Sequence, residues 1–174
     1  MTTIRRFCCD DLLSFNKVNL DVFTETYHLG FYLTYLAKWP EYCLTAEGPN
    51  KNILGYIIGK AEGGGRNWHG HVTAVTVEPD YRRQGLAKKL MDLLEDVTEK
   101  VHFGYFVDLF VRVSNHMAIA MYTKFGYTVY RRVIGYYSGD EDAYDMRKAM
   151  KRDVLRESVI PLPHPVYPSD LENP

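Results

Sequence analysis

The chain has 174 residues, a length that suits one folded domain, and its 46% hydrophobic content is enough for a sizeable core. A formal net charge of −1 with 25% charged residues supplies no strong field of either sign. That excludes partners held mainly by bulk charge, such as nucleic acid or an acidic membrane surface.

Ile4 to Phe7 reads as a short strand. Cys8, Cys9 and Cys43 make an odd cysteine set with no CxxC pair. A disulfide framework or zinc knuckle is therefore not expected, and a reducing compartment is. Asp10 and Asp11 stand where a secretory signal would need an apolar run. No apolar stretch approaches the roughly 18 residues that span a bilayer. A cytoplasmic protein is expected.

Asp10 can cap a helix running to about Asn19, with Leu12, Leu13, Phe15 and Val18 available for burial. Leu20 to Gly30 reads as a loop, and Phe31 to Trp39 as an aromatic helix stopped by Pro40. Tyr42 to Ala46 and Gly55 to Lys60 read as strands joined by a turn-rich segment. His71 to Val77 is the next strand, with His71, Thr73, Val75 and Val77 on one face. Leu86, Leu90, Leu93, Leu94 and Val97 recur with helical period over Leu86 to Lys100. Phe106 to Val113 follows as a strand, then a helix over Met117 to Phe125 closed by Gly126. Thr128 to Ile134 and Tyr144 to Lys148 complete the sheet. The order implies an α/β (α+β) fold with a mixed central sheet of about seven strands flanked by four helices. Residues 1–150 form the domain. Residues 151–174 hold Pro161, Pro163, Pro165, Pro168 and Pro174, and form a tail that is extended, disordered or laid on a partner.

One segment carries a specific chemistry. The strand ending at Val77 is followed by Pro79, then by Arg82, Arg83, Gln84, Gly85, Leu86 and Ala87 at the mouth of a helix. Gly85 permits positive φ and close approach of a bulky anion. The amides from Gln84 onward meet the positive end of the helix, which is the requirement of a pyrophosphate cradle. A bare turn with solvated cations is the plainer reading of such a motif; the order strand, proline, glycine turn, helix favours the cradle.

This turn resembles the acetyl-CoA motif of the GNAT superfamily, Arg/Gln-x-x-Gly-x-Gly/Ala. A second matching stretch is Asn115-His116-Met117-Ala118-Ile119-Ala120-Met121-Tyr122-Thr123-Lys124-Phe125-Gly126-Tyr127. The resemblance narrows to the family of NatB N-terminal acetyltransferase catalytic subunits. It is carried by Leu20 to Tyr27, Tyr35 to Tyr42, Trp68 to Ala74, Val107 to Asn115, Asp142 to Lys148 and Ile160 to Pro165. The loops at 47–52, 61–67 and 138–141 are short against the family pattern.

The resemblance implies a GNAT fold and acetyl-CoA as co-substrate, with no metal. It implies transfer to the initiator Met of nascent chains whose second residue is Asp, Glu, Asn or Gln. It further implies a large helical-repeat auxiliary subunit at the ribosome. The cofactor would contact Val75, Val77, Arg82 to Ala87, Asn115 and Tyr122. Tyr122 would protonate the departing thiolate; the alternative is an aromatic core side chain. Asn115 could be no more than a helix cap. Glu25 and Tyr27 would hold the substrate N-terminus, with Thr73 beside them and Tyr136 and Tyr137 closing the groove. His71 would donate to an oxygen on the second residue, an atom that Asp, Glu, Asn and Gln share; a satisfied structural histidine is the alternative. A metal site on His69 and His71 lacks companion ligands at useful spacing.

Two other functions stay open: acetylation of other N-termini or of lysine side chains, and a GNAT-fold module that binds acetyl-CoA without turnover. The aromatic face of Phe31 to Trp39 and the tail are candidate partner surfaces, the former equally a core helix.

Overall fold

A computed structural model describes residues 1–21, 23–138 and 140–171. Val22, Gly139 and the tail residue Pro174, with Glu172 and Asn173, lie outside the described residues. Seven strands form: β1 (Thr3–Arg6), β2 (Leu44–Glu47), β3 (Ile53–Glu62), β4 (His69–Val77), β5 (Phe106–Arg112), β6 (Thr128–Tyr137) and β7 (Glu141–Ala149). They are ordered β1-β2-β3-β4-β5-β7-β6 in one sheet. The helices are α1 (Leu29–Lys38), α2 (Leu86–Lys100) and α3 (His116–Lys124). The mixed-sheet α/β architecture expected from the sequence is the one formed, with three α-helices among the described residues rather than four. No helix among the described residues is long and apolar enough to cross a membrane.

The missing helix is the one expected over Asp10 to Asn19. Two 3-10 turns, Cys9–Leu13 and Asn16–Asn19, occupy that stretch. Asp11, not Asp10, is the anchoring carboxylate. It accepts from the Cys8 amide at 2.8 Å and from both terminal nitrogens of Arg5 at 2.8 Å. Phe15 and Val18, three residues apart, are the buried pair, a spacing that stacks in a 3-10 turn. Ser14, Asn16 and Asn19 are residue types that compete with helical backbone bonds.

Contacts divide the chain into two compact units, Met1–Lys60 with Val72–Val97, and Ala61–His71 with Thr98–Pro174. In the first, Phe7, Phe15, Tyr32, Tyr35 and Tyr56 pack together with Val18, Cys43 and Ile58. Their rings meet edge to face, Phe15 on Tyr32 at 5.4 Å and 85°, an arrangement aromatic quadrupoles favour. The helix expected from Phe31 begins at Leu29, because the His28 ring nitrogen accepts from the Phe31 amide at 3.3 Å. Its aromatic face is core: Tyr32 and Tyr35 are buried and Phe31 and Trp39 pack against them. Its other side leaves Leu29 and Leu33 exposed.

In the second unit β7 lies between β5 and β6, antiparallel to both. The register sets Asp108 opposite Arg147 and Phe110 opposite Asp145. The α3 helix ends in a Schellman motif. Gly126 takes φ +96°, its amide donates to Thr123, and the Tyr127 amide donates to the Tyr122 carbonyl at 3.0 Å. The tail runs along β6. The Leu162 amide donates to Tyr130, the Val166 amide to Arg132, and the Ile134 amide to Val166. Leu162, Val166 and Leu171 pack with Val133, Ala143, Phe110 and Tyr137.

Gly70, between His69 and His71, is required for space. A Cβ there would stand 2.1 Å from Thr98 Oγ1 and 3.1 Å from its Cβ, and Thr98 is fully buried. Gly70→Ala is expected to destabilise the protein by about 1–3 kcal/mol, as overpacking does. Urea denaturation measures this, and an unshifted midpoint would show that the strand has slack.

Candidate functional site

The glycine turn forms in the first unit as the sequence requires. Pro79–Tyr81 is a 3-10 turn, and Arg83 and Gly85 then take φ +61° and +78°. A Cβ built on Gly85 meets nothing within 4 Å, so backbone conformation, not crowding, selects glycine here. The first helical bond runs from the Lys89 amide to the Gly85 carbonyl at 3.0 Å. The amides of Gln84 to Ala87 precede it and have no intrahelical acceptor, which leaves a positive, donor-rich helix mouth. Gln84 and Gly85 are exposed, whereas Leu86 packs on Ala46, Leu54 and Val77. The turn is thus anchored from beneath and open above, which fits a pyrophosphate.

The two arginines separate. Arg82 donates from Nε to the Val77 carbonyl at 3.1 Å and from Nη2 to Asp21 at 2.6 Å. These contacts tie the turn to β4 and to the loop before α1. Arg83 is exposed on the left-handed corner. Half-buried Val75 lies on the same strand face as Val77.

Three of the expected substrate residues also belong to this unit. Tyr27 stacks on Phe31 at 4.1 Å and 14°, Phe31 leans on Tyr35 at 4.6 Å, and the Thr73 hydroxyl donates to the Tyr35 oxygen at 2.9 Å. Tyr27 and Thr73 are therefore linked through α1. Glu25 is half-buried two residues before Tyr27. Phe31 and Tyr35 were not among the expected substrate residues, although Tyr35 opens one of the stretches that carry the family resemblance.

The second unit gathers a different set. His71 Nδ1 lies 2.7 Å from Asp108 Oδ1 and 3.9 Å from Glu62 Oε1. Asp108 is buried; burial alone would raise its carboxyl. The charges of His69, His71 and Arg147, with the His71 hydrogen bond, outweigh burial and hold it well below the usual carboxylate range. A carboxylate only accepts, so the proton of that contact sits on His71 Nδ1. His69 stacks flat on Phe106 at 4.5 Å and 8°, and its Nδ1 lies 2.5 Å from the Asn67 carbonyl. Its Nε2 is buried, 3.4 Å from Glu62 and 3.5 Å from Asp108, at angles that make no hydrogen bond. Burial lowers the proton affinity of His69, but Asp108 and Glu62 overcome it and the net shift is upward.

Carboxylate companions for the two histidines do therefore exist, supplied by β3 and β5. One ligand atom from each of Glu62, His71 and Asp108 falls within 4.8 Å of the others. The 2.7 Å contact has the length of a charge-assisted hydrogen bond. Two atoms sharing a tetrahedral ion at about 2.0–2.1 Å each would stand about 3.3 Å apart. We read the group as proton-bridged.

A chain of rings leads from His71 to the two tyrosines. His71 approaches Phe110 at 5.6 Å, Phe110 stacks on Tyr136 at 4.6 Å and 19°, and Tyr136 meets Tyr137 edge-on at 5.0 Å. The Arg112 guanidinium covers Tyr137 at 4.1 Å. His71, Tyr136 and Tyr137 are thus brought together, with Phe110 as a go-between that sequence reasoning missed. The signal was available, because Asp108 and Phe110 alternate with the apolar face of β5.

Asn115 caps α3, its Oδ1 accepting from the Ala118 amide at 3.2 Å. That leaves its side-chain N–H groups as the part able to face a ligand. Tyr122 is buried, packed edge-on to Phe125 and Tyr127. Burial pushes its phenol well above the ordinary tyrosine value, so the ring carries its proton near neutral pH.

A strand, a glycine turn with positive φ and a donor-rich helix mouth together make a backbone suited to a phosphate group. The family model described as Acetyltransferase (GNAT) family matches residues 12–127, and the chain belongs to that family. It is 67% identical over 172 residues to N-alpha-acetyltransferase 20 of Dictyostelium discoideum, covering 99% of each chain. It is 64% identical, again over 99% of each, to the NAA20 catalytic subunit of the N-terminal acetyltransferase B complex of Arabidopsis thaliana. The crystal structure of Chaetomium thermophilum Naa20 in complex with a bisubstrate analogue matches with TM-score 0.92 and 48% identity, over 96% of this chain and 97% of that one. A structure of the NatB complex bound to CoA and MES matches with TM-score 0.78 and 43% identity, over 85% and 99%.

Proposed function

We propose that this chain is the catalytic subunit of a NatB-type N-terminal acetyltransferase. It transfers acetyl from acetyl-CoA to the initiator Met of polypeptides beginning Met-Asp, Met-Glu, Met-Asn or Met-Gln. The observation that carries the reading is the 67% identity to an N-alpha-acetyltransferase 20 over essentially the whole chain. The helix mouth after Gly85 supports the co-substrate: its amides suit the diphosphate, and exposed Arg83 adds charge. Arg82 acts there by holding the turn's shape.

In the reaction the substrate α-amine attacks the thioester carbonyl. A C–N bond forms, the C–S bond breaks, the amine proton leaves to water and the thiolate takes a proton. An α-amine titrates at about 7.7–8.0, so much of it is neutral near pH 7.4 and little base assistance is needed. Tyr122 supplies the thiolate proton and recovers one from water before the next turnover, and Asn115 contacts the cofactor. Glu25 and Tyr27 hold the substrate N-terminus, and Thr73, Tyr136 and Tyr137 line its path. His71 reads the second side chain. The chain works in the cytoplasm on nascent polypeptides, with a large helical-repeat auxiliary subunit at the ribosome.

The test is a peptide panel, Met-Asp, Met-Leu, Ser-Ala and an internal-lysine peptide, with acetyl-CoA, assayed with and without a co-purified auxiliary chain. Met-Asp is expected to turn over at least tenfold faster than the others, a difference of about 1.4 kcal/mol. Equal turnover of Met-Asp and Met-Leu would overturn the specificity. Turnover of the lysine peptide alone would select the side-chain reading, and CoA binding without turnover the binding-module reading.

A further inference from the structure

Tyr136 and Tyr137 are neighbours in sequence, yet both reach the face of the sheet that carries Phe110. Tyr136 stacks on the Phe110 ring at 4.6 Å. Tyr137 packs with Phe110 on Val133 and Ala143 and lies under the Arg112 guanidinium at 4.1 Å. Successive side chains of a regular strand point to opposite faces. The strand is therefore interrupted here, and the register of β6 on β7 shows where. Val133 pairs with Ala143 and Tyr137 with Glu141, so Ile134, Gly135 and Tyr136 stand opposite the single residue Asp142. This is a bulge, a device that bends one strand and re-aims a side chain.

Asp142 closes the bulge with its side chain. Its Oδ1 accepts from the Gly135 amide at 2.8 Å and its Oδ2 from Arg132 Nε at 2.6 Å. One oxygen serves a residue inside the bulge, and the other a residue just before it. Gly135 takes φ +63°, a left-handed corner that glycine adopts freely. The Asp142 backbone carbonyl accepts from the Val113 amide at 3.2 Å, which ties the same residue to the end of β5. The tail holds the neighbouring amide, that of Ile134, through the Val166 carbonyl at 2.9 Å. The Asp142 side chain keeps only 21% exposure, so its bonds are partly shielded from water, whereas Tyr136 keeps 36% and presents ring surface to a ligand.

We infer that Asp142 is a positioning residue for the peptide groove: its carboxylate holds the β6 bulge that turns Tyr136 onto the groove face beside Phe110 and Tyr137. The inference rests on the proposed placement of Tyr136 and Tyr137 along the substrate path. Asp142 acts through the Tyr136 ring and not on the reacting atoms. Phe110 also approaches His71 at 5.6 Å, so the ring that Asp142 positions belongs to the same wall as His71.

The experiment compares amide exchange and steady-state kinetics in Asp142→Ala, Asp142→Asn, Tyr136→Ala and the Asp142→Ala/Tyr136→Ala pair. Removing the carboxylate deprives the Gly135 amide of its acceptor, so its hydrogen exchange should quicken roughly tenfold while the amides of β5 keep their rates. The KM for a Met-Asp peptide should rise about tenfold, the scale of one lost hydrogen bond to a charged group, with kcat and the KM for acetyl-CoA held within about twofold. Asp142→Asn keeps an acceptor for the Gly135 amide and should recover most of the loss. The double variant should be no worse than Tyr136→Ala alone, because both substitutions remove the same contact. If Asp142→Ala fails to fold, Gly135→Ala strains the same corner from the other partner and should give the same split between peptide and acetyl-CoA. Unchanged exchange at Gly135 in Asp142→Ala overturns the inference. So does a loss shared equally by both KM values and kcat, or two effects that multiply in the double variant. If Tyr136→Ala itself leaves the peptide KM unchanged, the groove placement of the tyrosines falls instead, while exchange at Gly135 still reports on the bulge.

Discussion

Tyr122→Phe is expected to lower kcat about a hundredfold, the scale of a lost general acid, and to leave the KM for acetyl-CoA nearly unchanged. The substitution removes one oxygen and keeps the ring, so the edge-on contacts with Phe125 and Tyr127 persist. The Schellman motif that fixes this turn of α3 involves only the backbone at Tyr122. Thermal stability should therefore hold while turnover drops. The upward shift of the phenol sets the sign of any pH effect: the donor form is kept on the alkaline side, so the acid step itself brings no loss of rate near neutrality. Steady-state kinetics at saturating peptide decide the matter. An unaltered kcat would leave Tyr122 as a core aromatic and nothing more.

Asp145→Ala should cost about 3–5 kcal/mol of stability, read from urea unfolding. Asp145 is fully buried and accepts through Oδ2 from Arg131 at 2.8 Å and Arg147 at 3.3 Å. Arg147 is itself buried, its guanidinium 3.6 Å from the Tyr130 ring centre and 4.3 Å from that of Phe106. Removing the carboxylate takes a counter-charge from a guanidinium held between two aromatic faces, with Asp108 opposite it across the ladder. Asp145→Asn keeps an acceptor and should cost less. Because Arg147 also helps hold Asp108 ionised, Asp145→Ala should draw Asp108 towards Arg147 and raise the KM for Met-Asp peptides as well. A cost below about 1 kcal/mol would place this network with ordinary surface ion pairs.

Much of this arrangement was legible from residue order alone, and the reasons differ from place to place. The α2 span, Leu86–Lys100, follows from the period of its leucines, and the turn before it from one glycine where φ must be positive. The cap at Asn115 and the stop at Gly126 are local signals, readable within a few residues. The stretch over Asp10 to Asn19 was misread because an acidic residue before an apolar run looks like an N-cap; the carboxylate that matters bonds to Arg5 across a turn. The histidine environment was hidden for a different reason. Asp108 lies 37 positions from His71, and only strand pairing brings the two together. Register is a property of two strands at once, so no spacing within either one reveals it. An aspartate in the middle of a largely apolar strand was the available hint.

The segment that runs along β6 has a bearing on the protein's colloidal behaviour. An outer strand with open amides and carbonyls is a template for another chain, and β6 is ten residues long. Residues 162–166 occupy that rim for part of its length, and four of the prolines present no amide with which a newcomer could pair. The opposite rim, β1, is only four residues long, which leaves little edge for another strand to extend, and carries exposed Arg6 at its end. Clipping the chain after Ile160 would unmask a long adhesive border, and with it a route to ribbon-like clumping that the intact polypeptide keeps closed.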